Sequence, residues 1–165
     1  MTQGELTIRA FEPDDLSHLD EIRRLAFEPV FASFREIVGA AIAEIAFATA
    51  EAEQSEHLKK LCDPESPEQV FVAVLGDVRI GFVSVSLNDE QKIGEIGLNA
   101  VHPDHAGRDV GTALNEFALE VMRNAGMLVA TVGTGGDDSH APARRAYEKA
   151  GFGPAIPSLW MYRTL

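Results

Sequence analysis

The sequence predicts a single α/β domain of the α+β type, in which a mixed, largely antiparallel sheet is flanked by helices. Two observations predict this class. The chain has 165 residues, of which 45% are apolar, enough for one domain with its own hydrophobic core. Apolar residues recur at helical spacing in some segments and alternate in others. Because no repeat or linker interrupts this order, we expect residues 1–165 to form one domain.

Composition excludes several functional classes. The formal net charge is −12 at pH 7, which disfavours nucleic acid and anionic membranes and attracts cations, although it also serves solubility. The apolar stretch Ile37–Ala50 is too short to span a bilayer, and the N-terminus does not resemble a secretion signal. Cys62 is the only cysteine, and no Cys/His set has zinc spacing. We therefore expect a cytoplasmic protein that binds no metal, membrane or nucleic acid.

The first 67 residues are predicted to be one strand followed by two helices. Alternation predicts the strand at Leu6–Phe11. Helical spacing then relates Leu16, Leu19, Ile22, Leu25 and Ala26. Ser33-Phe-Arg-Glu36 has the pattern of a capping box, which predicts that a second helix starts there and fades into the polar stretch Glu51–Lys60. Pro64 and Pro67 mark the loop that follows.

The remaining residues are predicted to form most of the sheet. Two strands, Val70–Leu75 and Val78–Leu87, flank the turn Gly76-Asp77 and predict a hairpin. A third strand covers Ile93–Val101. The further predicted elements, in chain order, are a helix at Val110–Asn124, a strand at Met127–Val132, a helix at His140–Ala150 and a final strand at Leu159–Thr164.

The segment Val101–Ala113 carries the most specific functional signal. A strand ends at Val101, Pro103 stops it, and Arg108-x-x-Gly111-x-Ala113 leads into a helix. Unpaired N–H groups and the dipole at a helix N-terminus make an anion site suited to a pyrophosphate. An ordinary strand–turn–helix with glycines for the turn is the alternative interpretation.

Two motifs resemble the GNAT N-acetyltransferase superfamily. Val101-x-Pro103 with Arg108-x-x-Gly111-x-Ala113 is similar to its acetyl-CoA signature, and Ala143-Arg-Arg-Ala-Tyr147-Glu-Lys-Ala-Gly151-Phe152 is similar to its closing helix. The resemblance implies a GNAT-like fold and an acetyl-CoA-dependent N-acetyltransferase in which the amine attacks directly in a ternary complex. The implied acetyl-CoA-binding residues are Ala100, Val101, Arg108, Asp109, Val110, Gly111, Thr112, Ala113, Ala143 and Tyr147. Asp109 and His140 depart from the residues common in the family.

The resemblance also implies catalytic roles. The strand Ile93–Val101 is expected to splay near Asn99, which frees an N–H for the thioester carbonyl. Tyr147 is expected to protonate the leaving thiolate. The alternative is that Tyr147 only packs against the cofactor. Glu95 matches the position of a general base, and alternation places it on one face with Gly97, Asn99 and Val101; a solvated glutamate is the alternative. For His140, helix capping is favoured over substrate contact.

Other functions are kept as alternatives. A non-catalytic acyl-CoA-binding or regulatory domain would keep the fold without turnover. A dinucleotide enzyme is disfavoured because Gly133-Thr-Gly135-Gly136 lacks the third spaced glycine. Acidic residues within 27–67 favour a small cationic amine as acceptor, and a peptide or protein amine stays open. A homodimer through Ile37–Lys60 is possible, but burial in the core explains the same apolar stripe.

Overall fold

A computed structural model describes residues 4–165 and shows a five-stranded sheet between two layers of helices. The strands are β1 (Leu6–Ala10), β2 (Gln69–Leu75), β3 (Val78–Asn88), β4 (Ile93–Val101) and β5 (Val129–Val132). The helices are α1 (Leu16–Val38), α2 (Ala40–Ala46), α3 (Ala50–Leu61), α4 (Val110–Asn124) and α5 (Ala141–Lys149). The sheet order is β1-β2-β3-β4-β5, antiparallel except for the parallel pair β4–β5. The predicted fold class is confirmed.

Each face of the sheet packs against its own helices. On one face, side chains of α1 and α3 meet those of β2, β3 and β4, with Leu19, Leu58, Val72 and Phe82 fully buried. On the other face, Ile80, Val83, Val85 and Ile96 pack against Leu114, Ala118 and Met122 of α4. We call these the α1 face and the α4 face. No helix among residues 4–165 has the length and apolar character needed to cross a membrane.

The region between β1 and β2 differs from its prediction. Instead of a second helix starting at Ser33, α1 continues through Pro29 and Ser33 to Val38. The hydroxyl of Ser33 donates a hydrogen bond to Asp137, 2.8 Å away, and therefore does not cap a helix. Gly39, at φ 79°, ends α1, because this left-handed backbone favours glycine. A second break at residues 47–49 separates α2 from α3.

The C-terminus also differs from its prediction. The strand expected at Leu159–Thr164 does not form, and residues 152–165 have no regular secondary structure. Pro154 and Pro157 interrupt the start of this segment and carry no N–H for a ladder. The ring of Tyr162 lies 5.9 Å from that of Phe47, at the end of α2, so the segment contacts the helices instead of extending the sheet.

One fully buried carboxylate ties the start of α1 to the sheet. Asp15 accepts hydrogen bonds from Arg9 at 2.7 and 2.9 Å, from Arg79 at 2.9 Å and from the backbone N–H of Glu12 at 2.9 Å. The Arg9 hydrogen bonds lower the pKa of Asp15 most; burial opposes them, and the net pKa lies well below the ordinary value. The ionised form is therefore part of the folded structure.

Replacing Asp15 by Asn is expected to destabilise the protein by about 2–3 kcal/mol at pH 7, because it leaves two arginines without their buried partner. A folded-state pKa below the unfolded value of about 3.9 contributes stability above that pH and loses it as the pH falls. The difference between the wild type and Asp15→Asn should therefore shrink below about pH 4. Urea unfolding at pH 7 and in acid measures this, with the exposed neighbour Asp14→Asn as the control. An equal loss for both variants would contradict it.

Candidate active site

The parallel pair β4–β5 opens at one end. It is paired over only four residues of each strand, from Ile93 with Val129 to Ile96 with Val132. Beyond Ile96, β4 continues to Val101 along β3, while the chain after Val132 turns away into a loop. The β4 backbone over residues 97–101 consequently has no strand on its β5 side. The N–H and C=O groups on that side of the backbone face the opening. The splay that the sequence predicted near Asn99 is present.

A bulge in β4 changes which side chains share a face. Val85 pairs with Ile96 and Val83 with Asn99, so β4 has one residue more than β3 between these pairs. Gly97 remains on the α1 face with Glu95, where a Cβ would come within 2.6 Å of the Ser84 hydroxyl. Asn99 lies on the α4 face. The prediction that Glu95 shares a face with Asn99 and Val101 was therefore wrong, because alternation does not hold across a bulge.

Tyr147 and Asn99 meet on the α4 face of the opening. The Tyr147 hydroxyl accepts a hydrogen bond from the side-chain amide of Asn99 at 3.0 Å, and the same amide donates to the Gly97 carbonyl at 3.0 Å. Because Asn99 fills an acceptor site of the phenol, the phenolic hydrogen is free to donate elsewhere. Tyr147 is only 7% exposed. Burial raises its pKa above the ordinary value despite the opposing effect of the Asn99 hydrogen bond, so the phenol is protonated at neutral pH.

The loop after β4 ends at the N-terminus of α4. Gly107 and Asp109 both have left-handed backbones, with φ of 73° and 58°. The N–H of Ala113 donates to the Asp109 carbonyl at 2.9 Å, which is the first hydrogen bond of the helix. The N–H groups of the preceding residues 110–112 have no carbonyl partner within α4. With the helix dipole, these free N–H groups suit the anion site that the motif predicted, and the site itself stays a prediction.

Asp109 does not compete for this anion site. Its side chain makes no hydrogen bond to the α4 backbone, and its carboxylate accepts one from Lys149 of α5 at 2.7 Å. Lys149 thus offsets the negative charge of this residue, which departs from the family pattern. Arg108 is exposed beside it.

Small residues bring α4, α5 and the end of β4 together. A Cβ on Gly111 would lie 3.6 Å from the Ala146 methyl and 3.8 Å from a methyl of Val101, both ordinary contacts. A Cβ would therefore fit at position 111, so helix packing alone does not explain the glycine there. Ala143 lies one turn before Tyr147 on the same side of α5. Ala100 is buried in the α1-face core, so only its backbone is open to a ligand.

A cluster around Asp137, which the sequence did not reveal, joins α1 to the loop before α5. The Asp137 carboxylate accepts hydrogen bonds from Ser33 at 2.8 Å, from Ser139, and from the His140 ring at 2.6 Å. Burial raises its pKa, but these hydrogen bonds outweigh burial and hold the pKa below its ordinary range. Ser33 lies more than a hundred residues away in the chain, so no local pattern could have indicated the contact.

His140 has a different role from the predicted helix cap. Its side chain makes no capping hydrogen bond to α5, and its ring stacks on Phe34 of α1 with centroids 5.7 Å apart. A Cβ on Gly135 would lie 2.3 Å from the His140 ring nitrogen, so this position must be glycine. Arg144 holds the same loop by donating to the carbonyls of Gly135 and Asp137. Close packing thus explains Gly135, one member of the glycine run, whereas a Cβ on Gly133 or Gly136 would meet nothing within 4 Å.

Cysteine chemistry is not part of this site. Cys62 is half-buried at the end of α3, and burial raises the pKa of its thiol to about 11, so it is protonated at neutral pH. Within residues 4–165, no group of three or more His, Cys, Asp or Glu side chains is arranged to hold a metal ion.

The opened strand pair, the free N-terminus of α4 and the buried Tyr147 phenol fit a group-transfer enzyme of the acetyltransferase class. The model of the acetyltransferase (GNAT) family matches residues 30–152. The chain belongs to the GNAT acetyltransferase family, whose co-substrate is acetyl-CoA, and the resemblance found in its motifs is confirmed.

Solved structures share the fold at low sequence identity. A PaiA N-acetyltransferase from Thermoplasma acidophilum, solved with coenzyme A, is 17% identical over 93% of both chains, with a TM-score of 0.72. The aminoglycoside acetyltransferase AAC(6')-Iy, solved with a CoA-linked acetylneamine analogue, is 15% identical over 98% of this chain and 99% of its own, with a TM-score of 0.65. An aminoglycoside acetyltransferase from an uncultured soil sample, solved with sisomicin, is 22% identical over 97% and 96%, with a TM-score of 0.62. No curated protein sequence matches the chain.

Proposed function

We propose that the protein transfers the acetyl group of acetyl-CoA to a primary amine of a small cationic molecule, by direct attack in a ternary complex. The observation that carries this proposal is the Asn99–Tyr147 hydrogen bond at the opening of β4–β5. It puts a neutral phenol, with its hydrogen free, beside an unpaired strand backbone.

The residues around the opening fit the two ends of acetyl-CoA. The unpaired N–H groups at the start of α4 suit the pyrophosphate, and Arg108 is the exposed cation next to them. The free edge of β4 offers backbone groups to the extended pantetheine arm. Val101, Ala143 and the first turn of α4 then surround the path between these ends. Acetyl-CoA supplies the activated acetyl thioester.

The side chains of the opening supply the remaining chemistry. A backbone N–H of β4 near Asn99 donates a hydrogen bond to the thioester oxygen, where negative charge develops. Tyr147 donates its phenolic proton to the departing sulfur, and Asn99 fixes the direction of that phenol. The raised pKa of Tyr147 keeps the proton available at neutral pH.

Glu95 is proposed to accept the proton of the attacking amine. It is exposed on the α1 face, opposite Tyr147, so the two groups flank the strand from its two sides. An amine arriving from the α1 side would meet Glu95, while the thioester lies towards Tyr147. Glu95 would accept a proton from the amine and Tyr147 would donate one to the sulfur. Their separation lets both transfers occur without the two groups competing for the same proton.

We expect Glu95→Gln to lower turnover by about 10- to 100-fold and to move the pH optimum upwards, because the variant keeps the shape but cannot accept a proton. Initial rates of thiol release between pH 6 and 10 measure this expectation. The control is Glu90→Gln, which removes one carboxylate from the exposed turn before β4. An unchanged rate and pH profile for Glu95→Gln would reduce Glu95 to a solvated side chain.

The acceptor is proposed to be cationic because two carboxylates line a groove between the end of α1 and α2. Glu36 and Glu44 line this groove together with Arg35 and Phe47. Aromatic contacts connect it to the Asp137 cluster: Phe47 lies 5.8 Å from Phe34, which stacks on His140. Two of the fold neighbours are aminoglycoside acetyltransferases, whose substrates are polycations of this kind.

The test is thiol release from acetyl-CoA across a panel of amines: an aminoglycoside, a polyamine, a neutral primary amine and a peptide with a free N-terminus. We expect the two polycations to give the highest kcat/KM and to lose rate with added salt, since the attraction is electrostatic. Glu44→Gln should lower kcat/KM for the polycations, whereas Glu65→Gln in the distant loop should not. Preference for the peptide would replace the proposed substrate class. No release with any amine would favour a non-catalytic acyl-CoA-binding domain.

A further inference from the structure

The Asp137 cluster leaves one ring nitrogen of His140 unused. The other ring nitrogen, Nδ1, lies 2.6 Å from a carboxylate oxygen of Asp137. Burial raises the pKa of Asp137, but hydrogen bonds from Ser139, Ser33 and His140 lower it further, so the carboxylate is ionised at neutral pH. Because an ionised carboxylate only accepts hydrogen bonds, the proton of this bond belongs to Nδ1. In the neutral imidazole, Nε2 therefore carries a lone pair.

This lone pair is accessible, and its direction is fixed. Phe34 stacks on the His140 ring, and Gly135 lies so close to the Nδ1 side that a Cβ would not fit there. Within residues 4–165, Nε2 has no hydrogen-bond partner, and the one buried side-chain polar atom without a partner is Nδ1 of His105. Nε2 of His140 is therefore open to solvent, although the side chain as a whole is only 17% exposed.

The His140 ring lies between the groove and the opening. Phe34, which covers one face of the ring, is 5.8 Å from Phe47, and Phe47 lines the groove together with the two carboxylates. On its other side, α5 begins directly after His140 and carries Tyr147 two turns later, about 10 Å along the helix. An acceptor that spanned the groove and the opening would pass this ring.

We propose that Nε2 of His140 accepts a hydrogen bond from an ammonium or hydroxyl group of the acceptor, with Asp137 as the positioning residue. This inference rests on the proposed function, because it concerns how the amine binds. A neutral imidazole beside an ionised carboxylate has a net charge of one electron, which favours a cation with N–H donors. A second proton on the ring removes both the lone pair and the net charge, so binding of a cation weakens.

The other groups around the ring do not take this role. Arg144 of α5 donates to two backbone carbonyls of the loop and is used in holding it. From α1, the uncharged Ser33 and Phe34 contact the cluster. Asp137 stays ionised because its pKa lies below the ordinary range. A change of pH between 5 and 8, where histidine side chains change charge, therefore acts on this cluster through His140.

Two substitutions at position 140 separate the two ring nitrogens. His140→Asn places an amide N–H where Nδ1 donates to Asp137 and leaves nothing at the position of Nε2, whereas His140→Gln reaches that position with an acceptor. We expect His140→Asn to raise the KM for spermidine and for sisomicin by about tenfold or more, the cost of one hydrogen bond to a charged group. The KM for acetyl-CoA should stay unchanged, and His140→Gln should recover part of the loss.

Two controls distinguish binding from a structural role. Ser33→Ala also removes a hydrogen bond to Asp137, and His18→Asn makes the same substitution on α1, sixteen residues before Phe34 and about 24 Å from it. Neither should change the KM for the amines measurably. Equal effects of Ser33→Ala and His140→Asn, or an unchanged KM in His140→Asn, would overturn the inference and leave the proposed function standing. No thiol release with either amine from the wild type would overturn the cationic acceptor and this inference with it.

The pH dependence of binding gives a readout that needs no turnover. Spermidine, whose amines stay protonated between pH 5 and 8, is titrated calorimetrically into the protein saturated with coenzyme A. The wild type should bind it more weakly as the pH falls, and the Kd of His140→Asn should depend less on pH. Proton–nitrogen NMR spectra at pH 8, assigned with His140→Asn, should place the ring proton on Nδ1. A proton on Nε2, or equal pH dependence in both proteins, would contradict the proposed contact.

Discussion

Tyr147→Phe is expected to lower kcat by about 10- to 1,000-fold while the KM for acetyl-CoA changes little, because the variant removes only the proton donor. The ring of Tyr147 is buried, and phenylalanine keeps its packing against Phe152. The hydroxyl it loses is the group that Asn99 holds at 3.0 Å. Steady-state thiol release with a saturating amine measures the change.

The chain offers a matched control for this prediction. Tyr162, the only other tyrosine, lies in the C-terminal segment and contacts Phe47 instead of the opening. Tyr162→Phe should leave kcat within about twofold of the wild type, as expected for a group that takes no part in proton transfer. If Tyr147→Phe turned over as fast as Tyr162→Phe, water or another group would have to protonate the thiolate.

Arg108→Ala is expected to weaken acetyl-CoA binding by about 10- to 100-fold, the cost of losing one hydrogen bond from a charged group to a phosphate. Arg108 is exposed just before the first turn of α4, where we propose the anion site. The effect should diminish in high salt, because screening already weakens the attraction in the wild type. Isothermal titration with acetyl-CoA at low and high salt gives both quantities.

Arg123→Ala is the control for charge. Arg123 lies in the last turn of the same helix, about 20 Å from its N-terminus at 1.5 Å per residue, and pairs with Glu120 at 3.0 Å. Both variants change the net charge equally. If the two weakened binding equally, general electrostatics would explain the affinity and the anion site would not lie at the start of α4.

The sequence predicted the elements whose signals are local. The hairpin β2–β3 followed from alternation around Gly76-Asp77, and α4 followed from its apolar stripe and from the loop motif before it. The turn before β4 is local as well: the Asn88 side chain accepts hydrogen bonds from the backbone N–H groups of Glu90 and Gln91. Such features depend on neighbours within a few residues.

Features that depend on distant residues could not be predicted. Ser33 has the spacing of a helix cap, but its hydroxyl is used by Asp137 of a distant loop, and α1 runs past it. The face of Glu95 relative to Asn99 was predicted wrongly because β4 has a bulge. A bulge depends on how β4 pairs with β3, and the alternation of residues within β4 carries no information on that pairing. Residues 159–164 have a strand-forming composition, but Tyr162 of this segment contacts Phe47 at the end of α2, a distant residue that the local pattern does not reveal.

The central claim is that acetyl-CoA binds at the opening of β4–β5 and the N-terminus of α4, and a thermal-shift titration tests it most directly. A ligand that binds only the folded state adds about 2.7 kcal/mol of stability at a concentration 100 times its Kd. For a domain of this size, that corresponds to a rise in Tm of roughly 5–10 °C. The account predicts this rise with acetyl-CoA, a smaller one for Arg108→Ala at the same concentration, and none with NADH. Stabilisation by NADH with no response to acetyl-CoA would contradict it.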